Sequence, residues 1–420
     1  MSKIKDRYLK VIVKADEEFR LIIDQSLGEE ALIELLDGSA EVFGVEMIHK
    51  RLYTFSTSLT VFTRNGCTLR LGGNPSDTYS VKRSKSSIDN IHAQLEDQRT
   101  KAQQNNTRGP ITLITGPKDV GKSTLTRTLL NYAAQSGRKP LYFDLDVGQS
   151  SISIPSTMGV LPIDGPEDLE KGFDDNDLSV YFFGYTSPGL NIGLYYLLIQ
   201  KLGQSLHRRM GHSKSIKHSG AIIDTCGWVE GQGYQSILAA ARSFDISLAI
   251  VLSDNKLYSR LRHDLSPRIK IKFCPSLEGI VERSQVVRRH RRENLIHEYF
   301  YGTPQRRFGP HTIQLMFSDV EIVQVVTPKL RISIDLLDEI YDAISVVSVP
   351  ISPSLCNQVL AISHTKDHRS AMIESVLGFI CILQVDMERK LLTVLSPQPD
   401  LMKKRILVMG DLQFDVNRYR

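Results

Sequence analysis

The sequence predicts an α/β protein in three parts: a central domain whose mostly parallel sheet is covered by helices on both faces, set between small β-rich N- and C-terminal domains. Three observations predict it. Strand-like and helix-like segments alternate through the middle of the chain. Short β-branched runs broken by turn residues fill both ends. The segment Gly116-Pro117-Lys118-Asp119-Val120-Gly121-Lys122-Ser123 lies where a strand gives way to a helix.

Length and composition are consistent with that division. The 420 residues, 41% of them hydrophobic, can bury a sizeable core and exceed one ordinary domain. The parts are expected at residues 1–105, 106–304 and 305–420. Five scattered cysteines without a CxxC pair fit neither a disulfide framework nor a zinc site, so a reducing compartment is expected. The charged start Met1-Ser2-Lys3-Ile4-Lys5-Asp6-Arg7 and the lack of a long apolar run predict a soluble chain with no membrane partner. A net charge of +5 is compatible with a polyanionic partner but modest for this length, so the clustering of bases matters more.

In the first part, Val11-Ile12-Val13, Ala31–Leu35, Leu59–Phe62 and Thr68–Leu71 read as strands, with turn signals at Asp37-Gly38 and Asn65-Gly66. They predict a small antiparallel β domain. The polar stretch from Asp77 to Arg108 reads as a helix-tolerant connector. In the middle, strands are expected at Ile111–Thr115, Leu141–Asp146, Val180–Gly184, Ala221–Asp224, Ile246–Leu252 and Ile269–Phe273. Helices are expected after Gly121 and at Ile192–Leu206 and Tyr234–Ser243, with an exposed basic loop from His207 to His218. Strands return at Gln314–Phe317, Glu321–Val326, Phe379–Val385 and Leu391–Leu395, with one helical stretch near Leu336–Ala343.

Gly116–Ser123 matches GxxxxGK[ST] after the β-branched run Ile111-Thr112-Leu113-Ile114, the setting of a P-loop NTPase domain. Its glycines let backbone N–H groups wrap a phosphate, and the helix N-terminus adds positive potential. Lys122 then reaches the outer phosphates and Ser123 offers a hydroxyl to Mg²⁺. No NKxD-type guanine element follows: neither Asn255-Lys256-Leu257-Tyr258 nor Thr365-Lys366-Asp367-His368 fits, so ATP is expected. Asp144 and Asp146 share one face near a strand's carboxyl end, where α/β sheets bind ligands. Asp146 there either holds the metal shell or accepts the proton of an attacking hydroxyl, and the sequence does not separate the two.

Trp228 follows another strand end in Asp224-Thr225-Cys226-Gly227-Trp228, on the same rim as the P-loop. Its ring either stacks a nucleobase, worth about 1–3 kcal/mol whatever the base, or caps the core. The densest basic run, Arg283 to Arg292, is either a solvated helix or the source of mobile arginines over the γ-phosphate.

Together, Gly116–Ser123, Asp146-Val147-Gly148-Gln149, Phe183–Gly189, Thr225-Cys226-Gly227-Trp228 and Val281-Glu282-Arg283-Ser284 resemble the Clp-type polynucleotide 5′-hydroxyl kinases of the eukaryotic mRNA 3′-end cleavage and polyadenylation machinery. The likeness extends outward to Ala40–Gly44, Glu298–Gly302, Phe317–Val320 and Leu395-Ser396-Pro397. It implies an ATP-dependent kinase of RNA 5′-hydroxyl ends. It assigns Gly116, Asp119, Val120, Gly121, Lys122, Ser123 and Thr124 to the nucleotide, and Ser123 and Asp146 to the metal. It gives catalysis to Lys122, Asp146, Arg283 and Arg288, and RNA to Gln149, Thr186 and Trp228. A glutamate matching Glu18 and a lysine before an apolar strand complete the family's adenine pocket; here Thr57-Ser58-Leu59 carries no such lysine. The resemblance further implies a nuclear subunit of mRNA cleavage factor II and an association with the tRNA-splicing endonuclease. A competing expectation is a catalytically silent scaffold in which bound ATP stabilises the fold by mass action.

Overall fold

A computed structural model describes residues 8–24, 28–82, 87–276, 283–303, 306–327, 337–399 and 405–419. The central sheet has seven strands in the order Ser179–Phe182, Thr157–Pro162, Leu141–Asp144, Ala221–Asp224, Ile111–Thr115, Leu248–Leu252, Lys270–Cys274. Neighbours run parallel except at Thr157–Pro162, which is antiparallel to both its partners and was not expected from the sequence.

Alternation builds the two helical layers. Ile114, Ile222 and Ile250 point to the helix Lys122–Gln135, joining Leu125, Leu129 and Leu130. Leu113, Ile223 and Val251, one residue along, point to the opposite face and pack with the helices Ile192–His212 and Gln232–Ser243. Both sides of each strand are therefore apolar, which is why these runs read as continuous rather than alternating.

The N-terminal domain is a sandwich of a four-stranded and a five-stranded sheet around Val13, Phe19, Leu21, Ile33, Val61 and Leu69. The Asn65-Gly66 turn, with Gly66 at φ 94°, closes no hairpin. It carries the chain from Leu59–Thr63 in one sheet to Cys67–Gly73 in the other. The start of the expected connector is itself a strand, Asp77–Lys82, paired antiparallel with Glu17–Ile22. The helix Ser87–Gln104 then packs Ile91 and Leu95 under the central sheet.

The C-terminal domain is built on a seven-stranded sheet, antiparallel except where Val320–Val326 meets Arg405–Gln413. Its helix covers Leu337–Ala343, with Leu336 outside the described residues. The basic segment from His207 is not a loop. It completes the helix Ile192–His212 and continues as Lys214–Ser219, started by Ser213, whose hydroxyl accepts the N–H of Ile216. No helix among the described residues is long and apolar enough to cross a membrane.

Candidate functional site: a phosphate loop, a cluster of strand-end acids and an arginine lid

The loop leaves the buried strand Ile111–Thr115 through Gly116, where a Cβ would lie 2.6 Å from the carbonyl oxygen of Leu252 on the next strand. Asp119 at φ 55° and Gly121 at φ 93° take left-handed conformations that curl the backbone into a cradle. The helix Lys122–Gln135 begins directly afterwards, so its unsatisfied N–H groups face the cradle. Lys122 is buried and bends back over the loop, donating from Nζ to Pro117 O at 2.7 Å. Ser123 is exposed, Thr124 half-buried and Val120 buried at the base of the loop.

Three carboxylates gather at the strand ends beside this cradle. The strand expected through Asp146 ends at Asp144, and Asp146 lies in the turn beyond it. The reason is Asp144 itself. One of its oxygens accepts the N–H of Asp146 at 2.9 Å, and the other accepts Ser151 N–H at 2.6 Å and the Ser150 hydroxyl at 3.2 Å. The chain is thereby folded into a tight turn instead of extended strand. Asp144 is 1% exposed, and burial, then the charge of Asp224, push its carboxyl up to about 8. Asp146 is half-buried, and its Oδ1 accepts the N–H groups of Gly148 and Gln149 at 2.9 and 3.0 Å.

The third acid, Asp224, ends the strand paired with the phosphate-loop strand, in register with Ile114. It is 1% exposed; burial raises its carboxyl to about 7, while Lys122 and then Ser123 act to keep it ionised. Its Oδ1 is buried without a hydrogen-bond partner among the described residues. Sequence reasoning noted Asp224 only as a strand-terminal acid; the sheet order that sets it next to the P-loop is invisible along the chain.

After Asp224 the chain is bolted to the loop. Thr225 donates its N–H and its hydroxyl to Ile114 O, at 3.2 and 3.0 Å. Gly227 lies so close to Lys118 that a Cβ would sit 2.4 Å from Lys118 Cγ and 2.7 Å from its backbone nitrogen. Trp228, half-buried against the core, is gripped at both ends: a Cβ on Gly233 would meet its Cγ at 2.5 Å, and one on Gly189 its Cη2 at 3.4 Å.

The segment Gly184–Leu190 straps these parts together. Its exposed Thr186 places a carbonyl 3.0 Å from where a Cβ of Gly148 would stand, and Gly189 touches Trp228. Thr186, Asp146 and Trp228 therefore border one rim. Gln149 donates from Nε2 to Gly148 O, and its buried Oε1 has no partner among the described residues. At its other end the strap rests on the C-terminal sheet, where Asp411 N–H donates to Gly184 O at 2.8 Å and the backbones of Gly184 and Gly410 touch.

Ser284 caps the helix Gln285–Tyr301 by accepting the N–H of Val287. Arg283 and Arg288 are both brought to the phosphate loop. The Asp119 carboxylate accepts the N–H of Arg283 at 3.3 Å and pairs with the guanidinium of Arg288, which also donates Nε to Arg283 O. Arg291 stands half-buried behind them, drawn down to about 10 by burial and by Arg283 and Arg127, and so still charged at neutral pH. Val281 and Glu282 lie outside the described residues. The far end of this lid helix is fastened to the C-terminal sheet: Phe379 N–H donates to the Tyr299 hydroxyl at 2.8 Å, and Phe300 stacks on Phe414.

Glu18 sits in the N-terminal sandwich, where its carboxylate takes two hydrogen bonds from Arg20, at 2.7 and 3.2 Å. Ser58, in the segment lacking the expected lysine, is bound by the N–H of Ile23. That domain grips the phosphate-loop helix elsewhere: Tyr132 donates to Glu41 at 2.6 Å, and Arg127 lies over Phe43 while pairing with the buried Glu167.

The arrangement suits a hard divalent cation shared with phosphates. Among the described residues no group of three or more His, Cys, Asp or Glu side chains forms a cage. Magnesium commonly needs only one or two carboxylates beside phosphate and water, and a strand-end acid with a buried unsatisfied oxygen next to Ser123 supplies one.

Sequence comparison matches all three parts of the chain. The profile of the mRNA cleavage and polyadenylation factor CLP1 P-loop covers residues 116–302. That of the pre-mRNA cleavage complex II protein Clp1 covers 308–415, and that of the N-terminal beta-sandwich domain of polyadenylation factor covers 12–102. The Protein CLP1 homolog of Culex quinquefasciatus is 40% identical over 411 residues, 96% of each chain. The polyribonucleotide 5′-hydroxyl-kinase Clp1 of Danio rerio is 38% identical over 95% of this chain and 93% of its own. The fold matches that of Clp1p in a wild-type Clp1p–Pcf11p complex, with a TM-score of 0.84 at 22% identity, over 98% of this chain and 99% of the other.

Proposed function

The chain belongs to the Clp1 family, and from that premise we propose that it transfers the γ-phosphoryl group of ATP to the 5′-hydroxyl of RNA, as a subunit of the pre-mRNA 3′-end cleavage machinery. The observation that carries the catalytic part is that Lys122 and Arg288 both engage the phosphate loop, with Asp146 next to Asp224 at the strand ends and Trp228 beside Gly227, which packs on Lys118 of the loop.

Lys122 and the loop N–H groups hold the triphosphate, with Gly116, Asp119, Val120, Gly121 and Thr124 shaping the cradle. Asp146, fixed by two backbone N–H groups, orients the RNA hydroxyl and takes its proton as the new O–P bond forms and the bond to ADP breaks. Thr186, Gln149 and Trp228 align the terminal nucleotide, and Arg283 and Arg288 neutralise charge on the moving phosphoryl group. Ser123 with Asp146 or Asp224 would hold Mg²⁺, which would further neutralise the phosphates. Glu18, in the N-terminal domain, is the proposed adenine-side residue. Nuclear action, assembly with a Pcf11-type cleavage factor II subunit and association with the tRNA-splicing endonuclease are the physiological setting of this proposal.

The test is labelled phosphate transfer to a 5′-hydroxyl oligoribonucleotide. Wild-type protein forms product and Lys122→Ala does not. Equal, background-level product from the two, with ATP retained only by wild type, would establish the silent scaffold instead.

A further inference from the structure

Taking the kinase reading as its basis, we propose that Asp224 is the positioning residue of the metal side of the site, anchoring Ser123 and the magnesium ion, and that Asp146 is left to the RNA hydroxyl. The three strand-end acids are distinguished by what their oxygens already hold. Asp144 has both oxygens engaged, by Asp146 N–H on one side and by Ser150 and Ser151 on the other, so it shapes the turn and has little left for a ligand. Asp146 stands off the strand, with Oδ1 held by Gly148 and Gln149 and its turn pressed against Thr186 of the strap. It faces the acceptor side. Asp224 alone of the three has a buried oxygen with no partner among the described residues.

Position supports the same division. Asp224 ends the strand immediately beside the phosphate-loop strand, whereas the strand leading to Asp146 lies one place further out. Its strand is registered on Ile114, and the next residue, Thr225, is tied twice to the Ile114 carbonyl. Its charge is favoured first by Lys122, then by Ser123 and by the Thr225 N–H, so two of the three supporting groups belong to the phosphate loop. A buried carboxylate with an empty acceptor is costly unless a cation or its water completes it, and this one stands beside Lys122 and Ser123 of the phosphate loop.

The experiment is a titration of a fluorescent ATP analogue with full-length wild type, Asp224→Asn and Asp146→Asn, in EDTA and across a range of Mg²⁺. Asp224→Asn is expected to raise the Mg²⁺ concentration for half-maximal tightening by about 10–100-fold, the usual effect of losing an outer-shell partner. In EDTA it should bind the analogue as tightly as wild type or more tightly, because a carboxylate near the phosphates is gone. A purely structural residue would weaken binding in both conditions. Asp146→Asn should keep its Mg²⁺ requirement and lose RNA phosphorylation. Asp224→Ser, which removes charge without adding an amide, must follow Asp224→Asn, and equal melting temperatures in EDTA certify the comparison. An unchanged Mg²⁺ requirement in the Asp224 variants, equal weakening with and without Mg²⁺, or the shift appearing in Asp146→Asn would each overturn the assignment. A wild type that shows the Mg²⁺ effect but phosphorylates no RNA ends the kinase reading, while the Asp224 comparison still decides the metal role.

Discussion

Asp119 in the phosphate loop and Arg288 in the first turn of the lid helix form an ion pair, and the same carboxylate oxygen accepts the backbone N–H of Arg283. Both side chains of the pair are largely buried, at 15% and 18% exposure. The loop that cradles phosphate therefore also holds the lid arginines over it, through a residue in a left-handed backbone conformation.

Arg288→Ala should lower the rate of RNA phosphorylation by on the order of 10³, with ATP affinity changed only a few-fold, because an arginine on the transferring group acts on the transition state. Single-turnover rates with saturating ATP and RNA measure it. A rate within tenfold or so of wild type would remove Arg288 from the catalytic set.

Gly227→Ala places a methyl group on the backbone of Lys118, which has no room to yield without moving the phosphate loop. The expected result is a loss of about 1–3 kcal/mol in stability together with weakened nucleotide binding. Thermal melts with and without Mg-ATP check it, and unchanged ATP stabilisation would show that the loop tolerates displacement.

Trp228 is the chain's only tryptophan, so intrinsic fluorescence reports its surroundings without interference. Titration with a 5′-hydroxyl oligoribonucleotide should shift or quench the emission. Trp228→Leu should raise the KM for RNA by about 5–150-fold, the range set by one base stack, with the KM for ATP unchanged. Emission that ignores RNA would leave the ring as a core cap.

Asp144→Ala strands Asp146 N–H, Ser151 N–H and the Ser150 hydroxyl without their acceptor. Each unsatisfied buried donor costs about 1–3 kcal/mol, so a clear drop in melting temperature is expected. The rate should fall as the Asp146 turn loosens, while ATP affinity stays near wild type. Loss of ATP binding with intact melting behaviour would place Asp144 in the nucleotide site itself.

Much of this architecture was legible because local signals and tertiary contacts agree. Gly116–Ser123 carries its glycines, lysine and flanking strand in one contiguous stretch, and Arg283 and Arg288 stand in a visibly basic run. What escaped depended on partners distant in sequence. Asp224 matters because its strand pairs with Ile111–Thr115, a relation between segments more than a hundred residues apart. Asp146 was read as strand because alternation with Leu145 and Val147 continues past Asp144, whereas the side chain of Asp144 captures the backbone and turns it. Asp77–Lys82 looked like linker because four of its six positions, Asp77, Thr78, Ser80 and Lys82, carry polar side chains typical of an exposed edge; its pairing with Glu17–Ile22 comes from the backbone.

The C-terminal sheet touches two borders of the site at separate points, Gly184 through Gly410 and Asp411, and Tyr299 through Phe379. It thereby fastens both the strap and the lid helix to one rigid support. Changes transmitted through this one sheet therefore reach both sides of the site at once.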